Sequence, residues 1–537
     1  VTSWRRSTSS HDAVRAAPSL RLQRAREVGA LHVQHDRNGA TFVTGNGHER
    51  GIRPDEPADP VDRTSTVPLP DGEYLPRRTI AERVAAGRSM REEVPLERHA
   101  IWSEPAGRTD PIDVLERQGA QRAPDLVPIR YGRMMASPFA FFRGGAAIMA
   151  ADLAGTPTTG LHAQLCGDAH LLNFGIFDSP ERSLVFGLND FDETSPGPFE
   201  WDVKRLAASI EVAGRDLGLA ATQREAAVLA TARSYRLAMA DFAARRNLDV
   251  WYAVLSVDEL RQRLGELGGR KAGHEVERRT AKALERDHLH AFSRHLTTVD
   301  GRPRFVSDPP LLVPADELLE GPQRERYVEV VRDFLTQYRT SLRPDRRVLL
   351  ESYRFVQLAR KVVGVGSVGT RAWVVLLMGR DADDPLLLQL KEAEPSVLAP
   401  YVGATIYESE GRRVVEGQRL METSPDHLLG WYRLRAWDDQ VHDFYVRQLW
   451  DGKASIDITK LSPKGFRAYS ESCGWTLARA HARSSDRVAI AAYLGEEETF
   501  DQATAAFAAS YADTTERDHQ RLVDAIDSGT VVAAAGI

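Results

Sequence analysis

Two acidic segments hold the residues best suited to chemistry. The first is CGDAHLLNFG, Cys166 to Gly175, and the second is LVFGLNDFDE, Leu184 to Glu193. Asp168 and Asn173 stand five apart on what reads as one loop. Asp190 follows a strand-like run containing Leu184, Val185, Phe186 and Leu188. Phosphoryl transfer needs a carboxylate to orient an acceptor hydroxyl, and oxygen donors to hold magnesium against nucleotide phosphates. Asp168 suits the first task, and Asn173 with Asp190 the second. Turn and cap chemistry, which Asp and Asn favour anyway, explains either segment taken alone. The two together, with a strand between them, favour the chemical reading.

A nucleotide also needs a cradle. Gly364, Gly366, Ser367 and Gly369 make a glycine-rich turn, and Lys391 ends the apolar run PLLLQLK. A dinucleotide site would require a helix at the turn, so that its N-terminus meets the pyrophosphate. Here the β-branched run TRAWVVLLM follows, so strand, glycine loop and strand are expected. A plain hairpin would use the same glycines. Lys391 is expected on the α- and β-phosphates, held by a carboxylate of the following helix, Glu416 first and Glu410 second. Surface ion pairing explains either glutamate equally well.

Gly167, Asp168, His170, Asn173, Asp190 and Asp192 resemble a pattern of the aminoglycoside and choline phosphotransferase branch of the kinase superfamily. That branch carries the loop H-G-D-x-H-x-x-N and a metal-binding I-D-F/W-D/E. Cys166 departs from it, standing where the branch usually has His. Longer runs are similar to the bacterial family called domain of unknown function 2252, among them VPIRYGRMMASPFAFFRG, QLCGDAHLLNFG, LNDFDETSPGPFEWDVKRLAAS, VVGVGSVGTR and LARAHARS. The likeness covers roughly Arg77 to Arg483 and beyond. It implies a kinase-like fold with ATP and magnesium as cofactors, Asp192 joining the metal ligands, and an acceptor left open. It also implies that Asp202 braces the acidic loop, against the plain reading of a helix-start carboxylate. Arg130, Arg133 and Arg143 precede the loop and suit either a phosphate or acidic acceptor, or packing and ion pairing. His170 suits a metal ligand or a loop brace, and His162 and His481 are read as structural.

The elements around these motifs set the expected fold class: α+β, bilobal and kinase-like, but circularly permuted. The acidic loop precedes the glycine turn, the reverse of the usual kinase order, and CGWTLARAHARSSD resembles the helix that normally leads into the loop. Four stretches follow: a weakly ordered tail over 1–75, a mostly helical lobe over 76–345, a small antiparallel β lobe over 346–455, and C-terminal helices over 456–537 returning to the helical lobe. Helices are expected at TIAERVAAGRSMREEV, PIDVLERQGAQ and Phe139 to Leu153, and they dominate from Trp201 to about Arg339. T-Q-R-E at Thr222 reads as a capping box with Glu225. The charged span from Glu259 to His295 reads as a solvated helical surface. Strands are expected at LARKVVGVG, RAWVVLLMG, PLLLQLK and DFYVRQLW. From Pro463 to Arg483, Phe466, Tyr469, Cys473, Leu477 and Ala480 share one helix face.

Composition bounds the rest. A chain of 537 residues, 42% hydrophobic and 27% charged, has the make-up of a soluble protein of more than one packed unit. A net charge of −6 argues against a general nucleic-acid binder. Two distant cysteines form neither a disulfide framework nor a zinc site. No apolar run reaches the roughly 18–20 residues of a membrane span, and the first residues lack a secretory pattern. A cytoplasmic protein is expected, binding nucleotide and an unknown acceptor, with a protein partner left open. Two other functions stay in view: a nucleotide-binding but catalytically idle kinase-like regulator, and a phosphoester hydrolase with a metal held by Asp168, His170, Asp190 and Asp192.

Overall fold

The computed structural model describes residues 33–35, 41–43, 78–285, 296–299, 302–362, 368–381, 383–435, 439–449 and 454–534. The chain divides into two units, residues 1–67 and 68–537. In the first, Val33–His35 pairs antiparallel with Thr41–Val43. The rest of the stretch expected to be weakly ordered, 1–75, lies outside the described residues.

The second unit is α+β. Its first helix, Ile80–Glu93, opens on a capping box in which Thr79 Oγ1 accepts from the Glu82 amide and Glu82 accepts from the Thr79 amide. The largest core gathers around Phe199–Asp216, a helix buried along nearly all its length, with Ala221–Ala244, Pro463–Ser484 and Thr499–Asp527 packed together with it. Phe466, Tyr469, Cys473, Leu477 and Ala480 all enter this core, so the C-terminal helices share it with the earlier ones. Small residues permit the closest approach: a Cβ on Gly474 would stand 2.4 Å from the Thr231 carbonyl oxygen of the facing helix.

The sheet holds six antiparallel strands in the order Leu312–Pro314, Arg354–Lys361, Ala372–Met378, Pro385–Glu392, Val441–Gln448, Gly430–Arg435. Strand alternation sorts its faces. Leu386, Leu388 and Leu390 meet Phe334 and Tyr338 of the helix Tyr327–Ser341, each buried leucine contributing about 1.5–3 kcal/mol. Gln389 and Lys391 are therefore left on the opposite face.

Three local expectations are corrected. Phe139 to Leu153 is two helices, Pro138–Gly144 and Ala146–Ala154, with Gly145 between them at φ −100° and ψ 28°. The helix expected to start at Thr222 begins at Ala221. Gln223, not Glu225, reaches back to the Ala220 amide, because the earlier start makes Gln223 the third helical residue. Leu312–Pro314 is an edge strand of the six-stranded sheet and Tyr327–Ser341 covers it, although the boundary expected at 345/346 leaves both with the helical lobe. The solvated span appears as helices Val257–Gly268 and Arg270–Glu285, its end from 286 to 295 lying outside the described residues.

Candidate active site

The acidic loop is built by two short antiparallel pairs. His162–Leu165 pairs with Ser195–Pro198, and Phe174–Asp178 with Leu184–Leu188, Phe174 lying opposite Leu188. This register brings Asn173 against Asp190. Asn173 Oδ1 accepts from the Asp190 amide at 2.8 Å, while its Nδ2 donates to the carbonyls of Asp168 and Asp190, each at 3.0 Å. Gly167 turns the chain at φ +81°, and a Cβ there would lie 2.2 Å from the Glu193 carbonyl oxygen, so only glycine fits. Asp202, buried in the first turn of Phe199–Asp216, accepts from the amides of Cys166 (2.7 Å) and Gly167 (3.1 Å) and meets His481 Nε2 at 3.2 Å. It thus braces the loop, and His481 is fixed in turn by the Tyr235 hydroxyl at 2.8 Å. Cys166 and Cys473 are both buried free thiols.

The sheet supplies the cation. Lys391, 2% exposed, points from its strand to Asp190 Oδ1 at 3.2 Å and to Asp192 Oδ2. Register places Tyr445 directly opposite Lys391, and the Tyr445 hydroxyl donates to Asp192. The carboxylate expected to hold Lys391 is a correction: Glu416 pairs with Arg419 at 3.2 Å and Glu410 with Arg413, so neither glutamate holds the lysine. Both are satisfied by an arginine three residues on along Glu410–Met421, a local pairing that outcompetes a distant lysine. Arg413 instead faces the site, donating to the carbonyls of Asp192 (2.9 Å), Thr194 (2.6 Å) and Glu394 (2.8 Å).

One cavity of about 550 Å³ is lined by Asp168, Asn173, Asp190 and Asp192 together with Gln389, Glu392 and Arg447. Gly369 has φ +93°, and its carbonyl accepts from the Ala123 amide at 2.8 Å. Gly364, Gly366 and Ser367 lie outside the described residues.

Over residues 122–525 the sequence matches the family described as "Uncharacterized protein conserved in bacteria (DUF2252)". The chain belongs to this family. The DUF2252 span contains every candidate site residue named from the sequence, and it begins past the helix Ile80–Glu93. No curated protein and no solved structure matches the chain.

Three residues of this DUF2252 site escaped the sequence reading. Arg205 donates through Nε and Nη2 to Asp168 Oδ1 at 2.9 and 2.7 Å, and its Nη2 also reaches the Phe142 carbonyl. It stands one helical turn beyond Asp202, an i, i+3 spacing within EWDVKRLA that was open to detection. Arg413 sits in a segment read only for its glutamates. Tyr445 alternates with apolar neighbours in DFYVRQLW and carried no signal of its own.

The donor set near Asp190 consists of hard oxygens: two carboxylates and the Asn173 amide oxygen, which keeps a second lone pair. Such a set suits magnesium, which takes one or two carboxylates and leaves its other positions to water and phosphate. Among the described residues, no group of three or more His, Cys, Asp or Glu is arranged to hold a metal, and His170 Nε2 is 3.9 Å from Asp168 Oδ2. No described helix is long and apolar enough to cross a membrane.

His170 has an unpartnered, buried Nδ1, and burial pulls its pKa down to about 4. With the folded value below the unfolded one, its contribution to stability is complete above about pH 6.5 and is lost as the pH falls toward 4. Acidification from pH 7 to 5 should remove about 2 kcal/mol through this ring alone. A ring-proton NMR titration with a midpoint near 6.5 would contradict this.

Proposed function

We propose that the chain is an ATP- and magnesium-dependent phosphotransferase with a circularly permuted, kinase-like arrangement, acting on a hydroxyl acceptor, a small molecule ahead of a protein side chain. The contact between Lys391 and Asp190 carries this reading. The two residues are 201 positions apart and meet at 3.2 Å, and Asp190 lines the cavity together with Asp168 and Asn173. A lysine near the end of a sheet strand and a carboxylate after a hairpin are the residue types that phosphoryl transfer uses for the phosphates and for magnesium.

In this reading Asp190 and Asp192 hold magnesium, with the Asn173 oxygen beside them. Lys391 serves the phosphates. Bound ATP supplies the phosphoryl group, and magnesium neutralises the charge that develops on it. Asp168 accepts the proton of the acceptor hydroxyl, and Arg205 fixes which carboxylate oxygen is free to do so. Arg413 and Asp202 keep the two acidic segments in register from behind. Their hydrogen bonds to these two segments go to backbone atoms, so neither needs to move during a turnover.

Thermal unfolding with and without ATP–magnesium tests the proposal. At a hundredfold excess over Kd, ligand binding should stabilise the wild type by about 2.7 kcal/mol. Asp190→Ala should lose that gain. A wild type indifferent to nucleotide would end both this reading and that of an idle nucleotide binder, whereas binding without any ATP turnover would favour the latter.

A further inference from the structure

Two arginines that line the cavity, Arg130 fully buried and Arg143 partly so, have no ion-pair partner among the described residues. Arg130, 0% exposed on the helix Val127–Met134, donates through Nη2 to Gln118 Oε1 (2.8 Å) and the Gly144 carbonyl (3.1 Å). Its Nε and Nη1 are buried with no hydrogen-bond partner. Arg143, in the last turn of Pro138–Gly144, likewise has a buried Nε with no partner. Both line the cavity, and Gly144 lies between them.

Several other arginines with buried side chains are ion-paired, while buried Arg479 donates to the Thr423 hydroxyl. Arg108 lies between Asp152 and Asp518, Arg236 clasps Asp501, and Arg205 holds Asp168. Arg130 and Arg143 form no ion pair with any described carboxylate. Burial lowers the pKa of Arg130 to about 9 and shifts Arg143 in the same direction. The charges around them are mixed. Arg122 adds positive charge near Arg130, Glu394 and Glu116 lie on its acidic side, and Asp168 is the acid nearest in effect to Arg143. A desolvated guanidinium gains most from a carboxylate or phosphate that accepts two parallel N–H bonds. Arg143 lines the same cavity as Asp168 and His170, the wall at which an acceptor hydroxyl would meet the proposed base.

We propose that Arg130 and Arg143 form an anion subsite beside Asp168, holding a phosphate or carboxylate carried by the hydroxyl acceptor. The acceptor role rests on the phosphotransferase reading above, whereas the anion subsite can be measured separately. The acceptor is then a small hydroxy acid or a phosphorylated polyol, compact enough for a cavity of about 550 Å³ shared with nucleotide.

Calorimetry on the full chain decides the matter, with inorganic phosphate, glycerol 3-phosphate, glycerate and glycerol as probes, each in the presence and absence of saturating ATP–magnesium. Glycerol 3-phosphate or glycerate should bind where neutral glycerol does not, and the stronger of the two identifies the anion. Arg143→Gln should weaken that binding roughly 10- to 100-fold, and Arg143→Lys should restore part of it. Arg130→Gln is the second variant, and its thermal unfolding checks that it has folded. Anion binding unchanged in both Gln variants would overturn the subsite. Competition between ATP–magnesium and the probes would also overturn it, by giving the arginines to the nucleotide. If nucleotide fails to bind while phosphate binds and is weakened by Arg143→Gln, the subsite stands and the transferase reading falls.

Discussion

Asp168→Asn should leave stabilisation by ATP–magnesium intact and lower phosphoryl transfer by about 100- to 10,000-fold. The substitution separates chemistry from structure because an Asn side-chain oxygen can still accept the two Arg205 N–H bonds that now reach Asp168 Oδ1. What disappears is the basicity of the second oxygen of this cavity-lining carboxylate, which lies 3.9 Å from His170 Nε2, beyond hydrogen-bond distance. Nothing on the nucleotide side changes, since Asn173 bonds to the backbone carbonyl of residue 168 and not to its side chain. The comparison is ATP turnover against an acceptor pool, alongside thermal unfolding with nucleotide. Turnover at the wild-type rate would remove Asp168 from the role of base.

Asp202→Ala should cost about 3–5 kcal/mol of stability, the usual result of removing one partner from a buried charged network. The carboxylate is 2% exposed and serves three donors at once: the Cys166 and Gly167 amides and His481. Alanine leaves all three in the core without acceptors, and each buried unsatisfied donor carries a penalty of about 1–3 kcal/mol. Asp202→Asn should lie between the two, because its amide nitrogen faces donors on at least one side. Urea unfolding measures the difference. A loss below about 1 kcal/mol would mean that the loop is held from elsewhere.

Both residues were legible in the sequence for a reason that does not extend to the whole site. Asp168 and Asn173 lie five residues apart, and the hairpin that joins Asn173 to Asp190 is short, so backbone geometry alone dictates that they meet. Strand periodicity around Lys391 was equally readable: leucines at 386, 388 and 390 require a buried face, and the lysine then emerges on the other side. The helix Pro463–Ser484 followed from its apolar stripe in the same way. Where two solutions had similar local energies, pattern alone did not separate them. A Gly-Gly pair inside FAFFRGGAAIM is compatible with one helix or two, and the break at Gly145 is settled by packing.

The sequence by itself determined the chemical inventory and its local spacing: the acidic loop, the hairpin carboxylates, the strand lysine, and an α+β chain of amphipathic helices and antiparallel strands. Only the tertiary structure decided the partners. With 70 lysines and arginines and 76 acids in the chain, any carboxylate has many candidate cations. Asp168 met Arg205, Lys391 met Asp190 and Asp192, and Glu416 stayed with Arg419. The reason is physical. Ion pairing is non-directional and weak in water, so it leaves no periodic trace in a sequence, and it becomes decisive only after burial has removed the competing solvent. Arg130 and Arg143 show the same principle from the other side: only the folded chain reveals that burial has left them without a described counter-ion.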